Sequence, residues 1–341
     1  MMLIGGRGNT RREIASAMTF PESLSECEIL TAISDISDGL TNSRNIDVSF
    51  ANRVYIFKKL QISKWFTYAL HNYLEDDLIR LPNNVHYETS RKEVNKWVEE
   101  QTHGMTNELL PTRSINQETR MIAVNALYFK GIWKKPFSDS ETYEASFHLL
   151  DGTKQNIQMM KLKHQFAFHK FRNLNARAIR IPFSHALWEM VFVLPDKRDG
   201  LPQLLEQSRR PGVLQSILSS SYQPRKLSLL MPKFTLGLSG SVDAKVILNT
   251  MGIRDLFSLR TANLSGITVE EPLAVSNLFH KAVLKVDEKG ATAAAATAVV
   301  ISLRSMSFKP NFRADHSFMV MLVYNKTVPA FIGHCVEPER N

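Results

Sequence analysis

The chain has 341 residues, of which 44% are hydrophobic and 22% charged, a composition typical of a globular protein with a sizeable core. Its 42 Lys and Arg against 33 Asp and Glu give a formal charge of +9, but the basic residues are scattered and have no aromatic residues between them. This pattern predicts weak polyanion binding at most and no nucleic-acid site. No apolar run approaches the roughly 18 residues of a membrane span, and two cysteines indicate neither a disulfide framework nor a thiolate metal site.

Helices and strands alternate in the first part of the sequence. Apolar spacing predicts helices over 21–39, opened by Pro21 and ended by Gly39, and over 89–103, closed by Gly104. Alternation predicts a strand over 47–57. The run 121–133 is almost entirely apolar or aromatic, which predicts a central strand covered on both sides.

Strands dominate the rest of the sequence. Short apolar runs separated by polar turns predict antiparallel strands, with two short helices among them near 201–207 and 212–218. Pro232 interrupts an apolar run and predicts two strand segments that meet at a bend. A long strand leads into 288–306, and the last apolar runs predict a buried hairpin. His280 and His334 lie in such apolar strands and are predicted to be core or near-core histidines.

The motifs of common enzymes are absent. There is no nucleophile elbow, no H-E-x-x-H and no phosphate-binding loop, and GGRGNT, which starts at Gly5, follows no strand. The sequence therefore predicts a protein that is not an enzyme and needs no cofactor or metal. It shows no repeat or linker, which predicts one domain over residues 1–341. Asn263 and Asn325 fit the glycosylation sequon, a frequent chance match.

The segment EKGATAAAATAVVISLRSM, residues 288–306, fits no single element. Its alanines favour a helix, but it has no apolar stripe, and Val299 to Ile301 prefer a strand. Between Gly290 and Leu303 there is no charged residue and no proline. Nothing in this stretch would therefore penalise its entry into a sheet as an extra strand.

Several motifs in order resemble the serpin family, inhibitors that trap serine proteases by changing shape. These are NALYFKGIWKKPF, LSLLMPKF, MGIRDLFS, ANLSGIT, VSNLFHKAVLKVDEKG and FRADHSF, with Ser317 where proline is usual. The resemblance implies an α+β fold in which helices pack on three mainly antiparallel β-sheets, with an exposed, mobile reactive loop. It also implies a metastable folded state.

The resemblance assigns roles to residues around this loop. Trp133 corresponds to the point where the loop enters the large sheet, and Lys233 would pair with Glu288 at the loop's base. Asn125 and His280 match the hydrogen-bonding residues that gate the opening of the sheet. A packed aromatic residue, a weak surface ion pair and a buried polar pair are the alternative interpretations. The implied hinge comprises Glu288, Gly290, Ala291, Thr292, Ala293, Ala294, Ala295 and Ala296.

Counting along the family's loop from Gly290 places the reactive bond between Arg304 and Ser305. Arg304 would fill the acidic pocket of a trypsin-like protease, which would end in a covalent complex with a monomeric inhibitor. A slip in register would place Leu303 or Met306 there and favour a chymotrypsin-like target. Small, uncharged residues in the hinge favour inhibition, although Ala291 and Thr292 replace the commonest Thr-Glu. The alternative is a non-inhibitory relative, such as a carrier, a chaperone or a protease substrate.

The first residues, MMLIGGRGNT, resemble the end of the family's second helix. We therefore expect that the first helix, an N-terminal strand and most of the second helix are missing, either through an incomplete start or at the cost of an exposed core face. The predicted location is extracellular, with the cytoplasm as the alternative. The helix over 21–39 is acidic, so the family's best-known heparin site is not supported.

Overall fold

A computed structural model describes residues 1–21, 23–41, 46–57, 60–74, 78–82, 87–237, 240–291 and 312–338. These ranges contain helices α1 Met2–Gly5, α2 Gly8–Ala17, α3 Glu26–Thr41, α4 Lys64–Leu74, α5 Tyr87–Gln101, α6 Leu201–Ser208, α7 Val213–Ser219 and α8 Lys245–Thr250. They also contain strands β1 Ile46–Ile56, β2 Leu78–Arg80, β3 Met121–Ile132, β4 Thr142–His148, β5 Lys154–Phe171, β6 Ala176–Pro182, β7 Trp188–Pro195, β8 Gln223–Pro232, β9 Phe234–Leu236, β10 Val242–Asp243, β11 Asn277–Val286, β12 Gly290–Ala291, β13 Phe312–Arg313, β14 Phe318–Tyr324 and β15 Val328–Cys335.

The chain groups into two compact units. The first comprises Met1–Asn42, Val48–Tyr128 and Ser239–Val283, and the second Ser43–Asp47, Phe129–Leu238 and Leu284–Asn341. Strands β3 and β11 each begin in the first unit and end in the second. The assignment of residues 1–341 to one domain stays a prediction.

The first unit is built on a mixed sheet in the order β10, β11, β3, β1, β2. Strand β11 is parallel to β3, and β1 is parallel to β2, whereas β10 is antiparallel to β11. Apolar side chains of β3 alternate between two clusters, Met121 and Ala123 on one face and Ile122 and Val124 on the other. The prediction that this strand is covered on both sides is confirmed.

Helix α5 covers one face of this sheet. Val94 and Val98, one helical turn apart, are fully buried against the cluster that contains Ile122 and Val124. Burying such a side chain contributes about 1.5–3 kcal/mol. The predicted helix over 89–103 is displaced by two residues toward the N-terminus, and Gly104 closes it with φ +77° and an N–H bond of 2.8 Å to Glu99 O.

The second unit contains a network of strands in the order β13, β8, β5, β6, β7, β14, β15, and β4 also pairs with β5. All of these strand pairs are antiparallel except that of β13 with β8. The 18-residue β5 pairs with β4 and β8 along its first part and with β6 at its end. This long strand links its three partners into one network. The described residues therefore show two connected networks where three sheets were expected. The predicted α+β fold class is confirmed.

Short helices cover one face of β6, β7 and β14. Their Leu204 and Ile217 pack with Ala178, Val193 and Met321 in one buried cluster. The bend at Pro232 is present as predicted, because β8 ends at Pro232 and β9 begins at Phe234. The predicted hairpin of β14 and β15 is present but is not buried throughout, because all of β14 except Tyr324 is buried, whereas in β15 only Phe331 and Cys335 are.

The predicted helix over 21–39 begins later and ends later, at Glu26 and Thr41. Ser25 explains its start, because Ser25 Oγ accepts the N–H of Glu28 (3.3 Å) while Glu28 Oε2 accepts the N–H of Ser25 (2.8 Å). This reciprocal pair is a capping box, and its S-x-x-E signature follows Pro21 in the sequence. Within the described ranges, no helix is long and apolar enough to cross a membrane.

Candidate functional site

The chain reverses direction between β11 and β12. Asp287 N–H donates to Gly290 O (2.8 Å), and Asp287 Oδ1 accepts the N–H groups of Lys289 (2.9 Å) and Gly290 (3.2 Å). Asp side chains commonly form such turns with backbone groups two or three residues on. After the turn, β12 runs antiparallel to β3, with Gly290 opposite Ile132. The chain that follows β11 therefore pairs with β3 at Gly290 and Ala291, directly after the turn.

Gly290 sits where no other residue fits. Its φ is +152°, and a Cβ atom would lie 1.9 Å from the carbonyl oxygen of Gly131 on β3. Glycine alone has both the backbone freedom and the missing side chain that this approach requires. The glycine expected at a hinge therefore also sets the distance between β12 and β3.

Glu288 lies in the turn and is 5% exposed. Lys233 Nζ is 2.9 Å from Glu288 Oε2, and Thr142 Oγ1 donates to Glu288 Oε1 at 2.8 Å. Burial alone would raise the pKa of Glu288, but the hydrogen bonds from Lys233 and Thr142 outweigh it and hold the pKa below its usual value. The side chain is therefore a buried carboxylate whose two oxygens both have hydrogen-bond partners.

Trp133 directly follows β3 and makes two hydrogen bonds to the same turn. Its indole Nε1 donates to Asp287 O (3.0 Å), and its backbone N–H donates to Lys289 O (2.9 Å). The ring is 1% exposed and stacks on Phe183 with 4.5 Å between ring centroids. The aromatic residue placed by resemblance at the loop's entry thus packs in the core and also holds the turn.

The direction of β3 and β11 determines what a further strand could do. In the first unit the two strands are parallel neighbours over seven residue pairs, from Asn277 opposite Ile122 to Val283 opposite Tyr128. A strand that follows β11 through a tight turn runs antiparallel to β11. Because β3 is parallel to β11, the same strand is antiparallel to β3 as well, and it could pair with both.

A row of polar side chains crosses three neighbouring strands in the first unit. His280 Nδ1 donates to Asn125 Oδ1 at 2.5 Å, since the amide oxygen can only accept, and Asn125 Nδ2 donates to Asn52 Oδ1. His280 lies opposite Asn125 in the register of β11 and β3. Partial burial lowers the pKa of the imidazole, which favours the neutral ring that makes this bond.

The prediction that His280 and His334 are core or near-core residues is wrong. Both residues are exposed, His280 with its ring partly shielded, whereas their neighbours Phe279 and Cys335 are buried. Side chains alternate between the two faces of a strand, so an apolar run can contain one face that is open to solvent. The apolar composition of these strands concealed that alternation.

Two residues of the site were missed at the level of sequence. Asn52 could have been found, because it lies on the same face of its strand as the buried Val54 and Ile56 and is polar where that face is otherwise apolar. Thr142 carried none, since it bonds to a residue 146 positions away. The remaining predicted residues lie outside the described ranges: Thr292, Ala293, Ala294, Ala295, Ala296, Leu303, Arg304, Ser305 and Met306.

Two further features bear on ligands. Among the described residues, no group of three or more His, Cys, Asp or Glu side chains could hold a metal ion. An apolar cavity of about 310 Å³ lies in the first unit, lined by residues that include Leu3, Ile14 and Ile29. Its charged lining residues, Arg11 and Glu26, pair with each other at 3.3 Å.

Comparisons with known proteins give one consistent result. The family model Serpin (serine protease inhibitor) matches residues 1–338. Serpin B10 of Rhinolophus ferrumequinum is 32% identical over 355 residues, covering 96% of this chain and 87% of that protein. Alpha-1-antiproteinase of Rattus norvegicus is 31% identical over 343 residues, covering 100% of this chain and 80% of that protein.

Solved structures agree with the sequence matches. Serpin48 of the insect Tenebrio molitor, described as a highly specific serpin, has a TM-score of 0.88 at 25% identity, covering 99% of this chain and 88% of that one. Human thyroxine-binding globulin in complex with its ligand has a TM-score of 0.87 at 26% identity, with the same coverage of 99% and 88%.

Proposed function

The chain belongs to the serpin family, and from this premise we propose that it inhibits trypsin-like serine proteases as a suicide substrate. The observation that carries the proposal is the reversal after β11, which starts a strand beside β3 while β3 and β11 remain parallel neighbours. A strand that continued β12 in its own direction would be antiparallel to both of them. Loop insertion into a sheet is an established mode of strand addition in serpins.

The composition of the loop supports insertion. Side chains of an inserted strand alternate between the two faces of the sheet, and between Gly290 and Leu303 none of them is charged. Small residues at the leading end need little separation of the neighbouring strands. Insertion of about fifteen residues at roughly 3.3 Å each moves the far end of the loop by about 50 Å.

The chemistry belongs to the protease. Its serine attacks the carbonyl carbon of Arg304, the Arg304–Ser305 peptide bond breaks, and Ser305 leaves as a free amine that takes a proton from the protease histidine. The Arg304 carbonyl is then held as an ester on the protease. Insertion of the severed loop displaces the protease and distorts its active site before water can hydrolyse that ester. The inhibitor itself catalyses nothing.

The polar row supplies a barrier to insertion. A new strand between β3 and β11 must break the bond between His280 and Asn125, because these residues face each other on the strands that part. In this proposal the uninserted state is metastable because the inserted strand adds more hydrogen bonds and apolar burial than the broken bond costs, and cleavage frees the loop to insert. We also propose that the protein acts as a monomer outside the cell, with the cytoplasm as the alternative.

A second candidate is a non-inhibitory serpin that binds a small molecule or is merely cleaved. The apolar cavity of the first unit favours it, as does the similarity to thyroxine-binding globulin. The hinge composition is against it, because bulky or charged residues would be expected where Ala293 to Ala296 stand. Cleavage at Arg304 without a stable complex would favour this candidate.

The test is to mix the protein with trypsin and look for a covalent complex that survives denaturing electrophoresis. Arg304→Glu is expected to abolish the complex, and Ala293→Arg is expected to turn the inhibitor into a cleaved substrate. The exposed Arg260→Glu is the control for the change of charge and should leave trapping unchanged. Trapping by the Arg304 variant that equals the unmodified protein would overturn the assignment of the reactive bond.

A second measurement tests the mechanism without a protease complex. Cleavage of the loop by a protease of another class should raise the midpoint of thermal unfolding, because the inserted strand adds hydrogen bonds and apolar burial. A cleaved protein that unfolds at the original temperature would contradict insertion.

A further inference from the structure

Two large aromatic side chains lie side by side on the exposed face of one helix in the first unit. Trp65 and Tyr68 of α4 are 37% and 52% exposed, although α4 buries Phe66, Ala69 and Leu70 on its other face. Residues three apart on a helix are neighbours, and these two rings stack with 5.7 Å between their centroids and 25° between their planes. We refer to Trp65 and Tyr68 as the aromatic platform. Exposed apolar side chains that adjoin one another mark sites of interaction.

A hydrogen bond from the neighbouring helix fixes one ring of the aromatic platform. The indole Nε1 of Trp65 donates to Glu26 Oε1 of α3 at 3.2 Å, and Glu26 Oε2 accepts a hydrogen bond from Arg11 Nη1 at 3.3 Å. Helices α3 and α4 pack in one buried cluster, to which they contribute Leu30 and Leu70. The ring is therefore ordered before any partner binds, which reduces the entropy lost on association.

The helix beside the aromatic platform presents acidic residues to solvent. Residues 13–43 contain six Asp and Glu and no Lys or Arg, in a chain whose formal charge is +9. Glu28, Asp35 and Asp38 of α3 are exposed, and their spacing of seven and three residues places them on one face of the helix. Among the residues that the structure describes, no Lys or Arg forms an ion pair with any of these three carboxylates. Their charge is therefore available to a partner.

The acidic face of α3 has the length of a short extended peptide. Glu28 and Asp38 are ten residues apart, which is about 15 Å along a helix axis. An extended chain rises about 3.3 Å per residue, so about five residues span this distance. Glu26, which bonds to Trp65, lies in the first turn of the same helix. One segment of another polypeptide can therefore reach the aromatic platform and the carboxylates together.

We propose that the aromatic platform and the acidic face of α3 bind a basic, arginine-containing segment of another polypeptide. The planar guanidinium of arginine stacks on aromatic rings and also pairs with carboxylates, so one residue type suits both parts of the surface. Trp and Tyr are enriched among the residues that dominate the energy of protein interfaces. Nucleic acids, sulfated chains and anionic membranes carry the same sign of charge as α3 and are repelled by it.

The test measures binding of fluorophore-labelled octa-arginine and octa-lysine to the whole protein at low ionic strength, where surface charges are least screened. Octa-arginine should bind about threefold more tightly, because arginine stacks on the platform better than lysine does. Trp65→Leu/Tyr68→Leu should weaken octa-arginine binding about tenfold and octa-lysine binding about threefold, which removes the preference. Tyr68→Leu alone, at a half-exposed side chain, is the second platform variant and should weaken octa-arginine binding about threefold.

The acidic face is tested separately from the platform. Asp35→Asn/Asp38→Asn should weaken the binding of both peptides about fivefold, since each exposed ion pair contributes a small part, and should leave the preference for arginine unchanged. The matched control is Glu99→Gln/Glu100→Gln, which removes the same charge from two exposed positions of α5 in the same unit. This control should bind both peptides like the unmodified protein.

Equal losses in the α3 and α5 variants would show an effect of net charge and would overturn the proposal. So would an unmodified protein that does not bind octa-arginine saturably, or that binds it no more tightly than octa-lysine. Self-association of the unmodified protein that the α3 variant abolishes would assign the surface to a second copy of this chain and would also overturn it. None of these outcomes depends on protease trapping, so the proposal can fail while the inhibitory function stands.

Discussion

Replacing Lys233 with Met is the sharpest test of the turn that starts the loop. The side chain of Glu288 is 7% exposed, and Lys233 Nζ, 2.9 Å away, is its one cationic partner among the described contacts. Methionine keeps the length and apolar packing of the lysine stem but removes the charge. The carboxylate then keeps the hydrogen bond from Thr142 and one from the backbone, but it has lost its cation.

The expected loss is about 2 kcal/mol in the free energy of unfolding at pH 7, since a hydrogen bond to a charged group is worth about 1.5–3 kcal/mol. Unfolding entropy of about 2.1 cal/mol/K per residue gives about 0.7 kcal/mol/K for a chain of this length. The midpoint of thermal unfolding should therefore fall by about 3 °C.

The loss should depend on pH with a definite sign. In the unmodified folded protein the pKa of Glu288 is lowered. The ionised carboxylate therefore stabilises the fold above about pH 4.3, the pKa of a glutamate in the unfolded chain, and this stabilisation is lost as the pH falls through the lower pKa of the folded state. Loss of Lys233 removes the largest of the interactions that lower this pKa, so the folded-state pKa of Glu288 is higher in the variant than in the unmodified protein. The difference in stability between the two proteins should therefore be smaller at pH 4 than at pH 7.

Thermal unfolding followed by circular dichroism at both pH values measures this difference. Lys161→Met is the matched control, because Lys161 pairs at 3.3 Å with Glu141, whose side chain is 53% exposed. That exposed pair should cost at most about 0.5 kcal/mol and shift the midpoint by less than about 1 °C. Equal shifts in the two variants, or a Lys233→Met deficit that is the same at pH 4, would refute the role given to Glu288.

Two other predictions concern Gly290 and His280. Gly290→Ala should lower the free energy of unfolding by at least about 2 kcal/mol, because the added Cβ would lie 1.9 Å from Gly131 O at a positive φ. The control is Gly152→Ala. Gly152 has φ +86° but no atom within 4 Å of an added Cβ, so this change should cost only about 1 kcal/mol. Urea unfolding compares the two, and equal losses would contradict the close approach of β12 to β3. Because burial lowers the pKa of His280, the unfolded chain takes up its proton first, and stability should fall as the pH drops below about 6.5. His280→Gln should remove part of this dependence between pH 7.5 and 5.5, and an unchanged pH profile would contradict it.

Local patterns in the sequence predicted the elements well. The apolar run of β3 indicated a strand covered on both sides, and Pro232 marked the bend between β8 and β9, because both features depend on residues that are neighbours in the chain. The boundary of α3 was missed because the capping box of Ser25 and Glu28 competes with the helix signal of Pro21. Ordered motifs indicated the family, which the comparisons confirm.

The site itself depends on contacts that no local pattern contains. Thr142 and Lys233 meet at Glu288 only because β4, the link after β8 and the turn after β11 come together in the second unit. The sequence by itself determined the family, most of the elements and the uncharged composition of residues 291–303. Only the tertiary structure decided which distant charges share a surface or a buried bond, because strand pairing and register are set by packing over the whole fold.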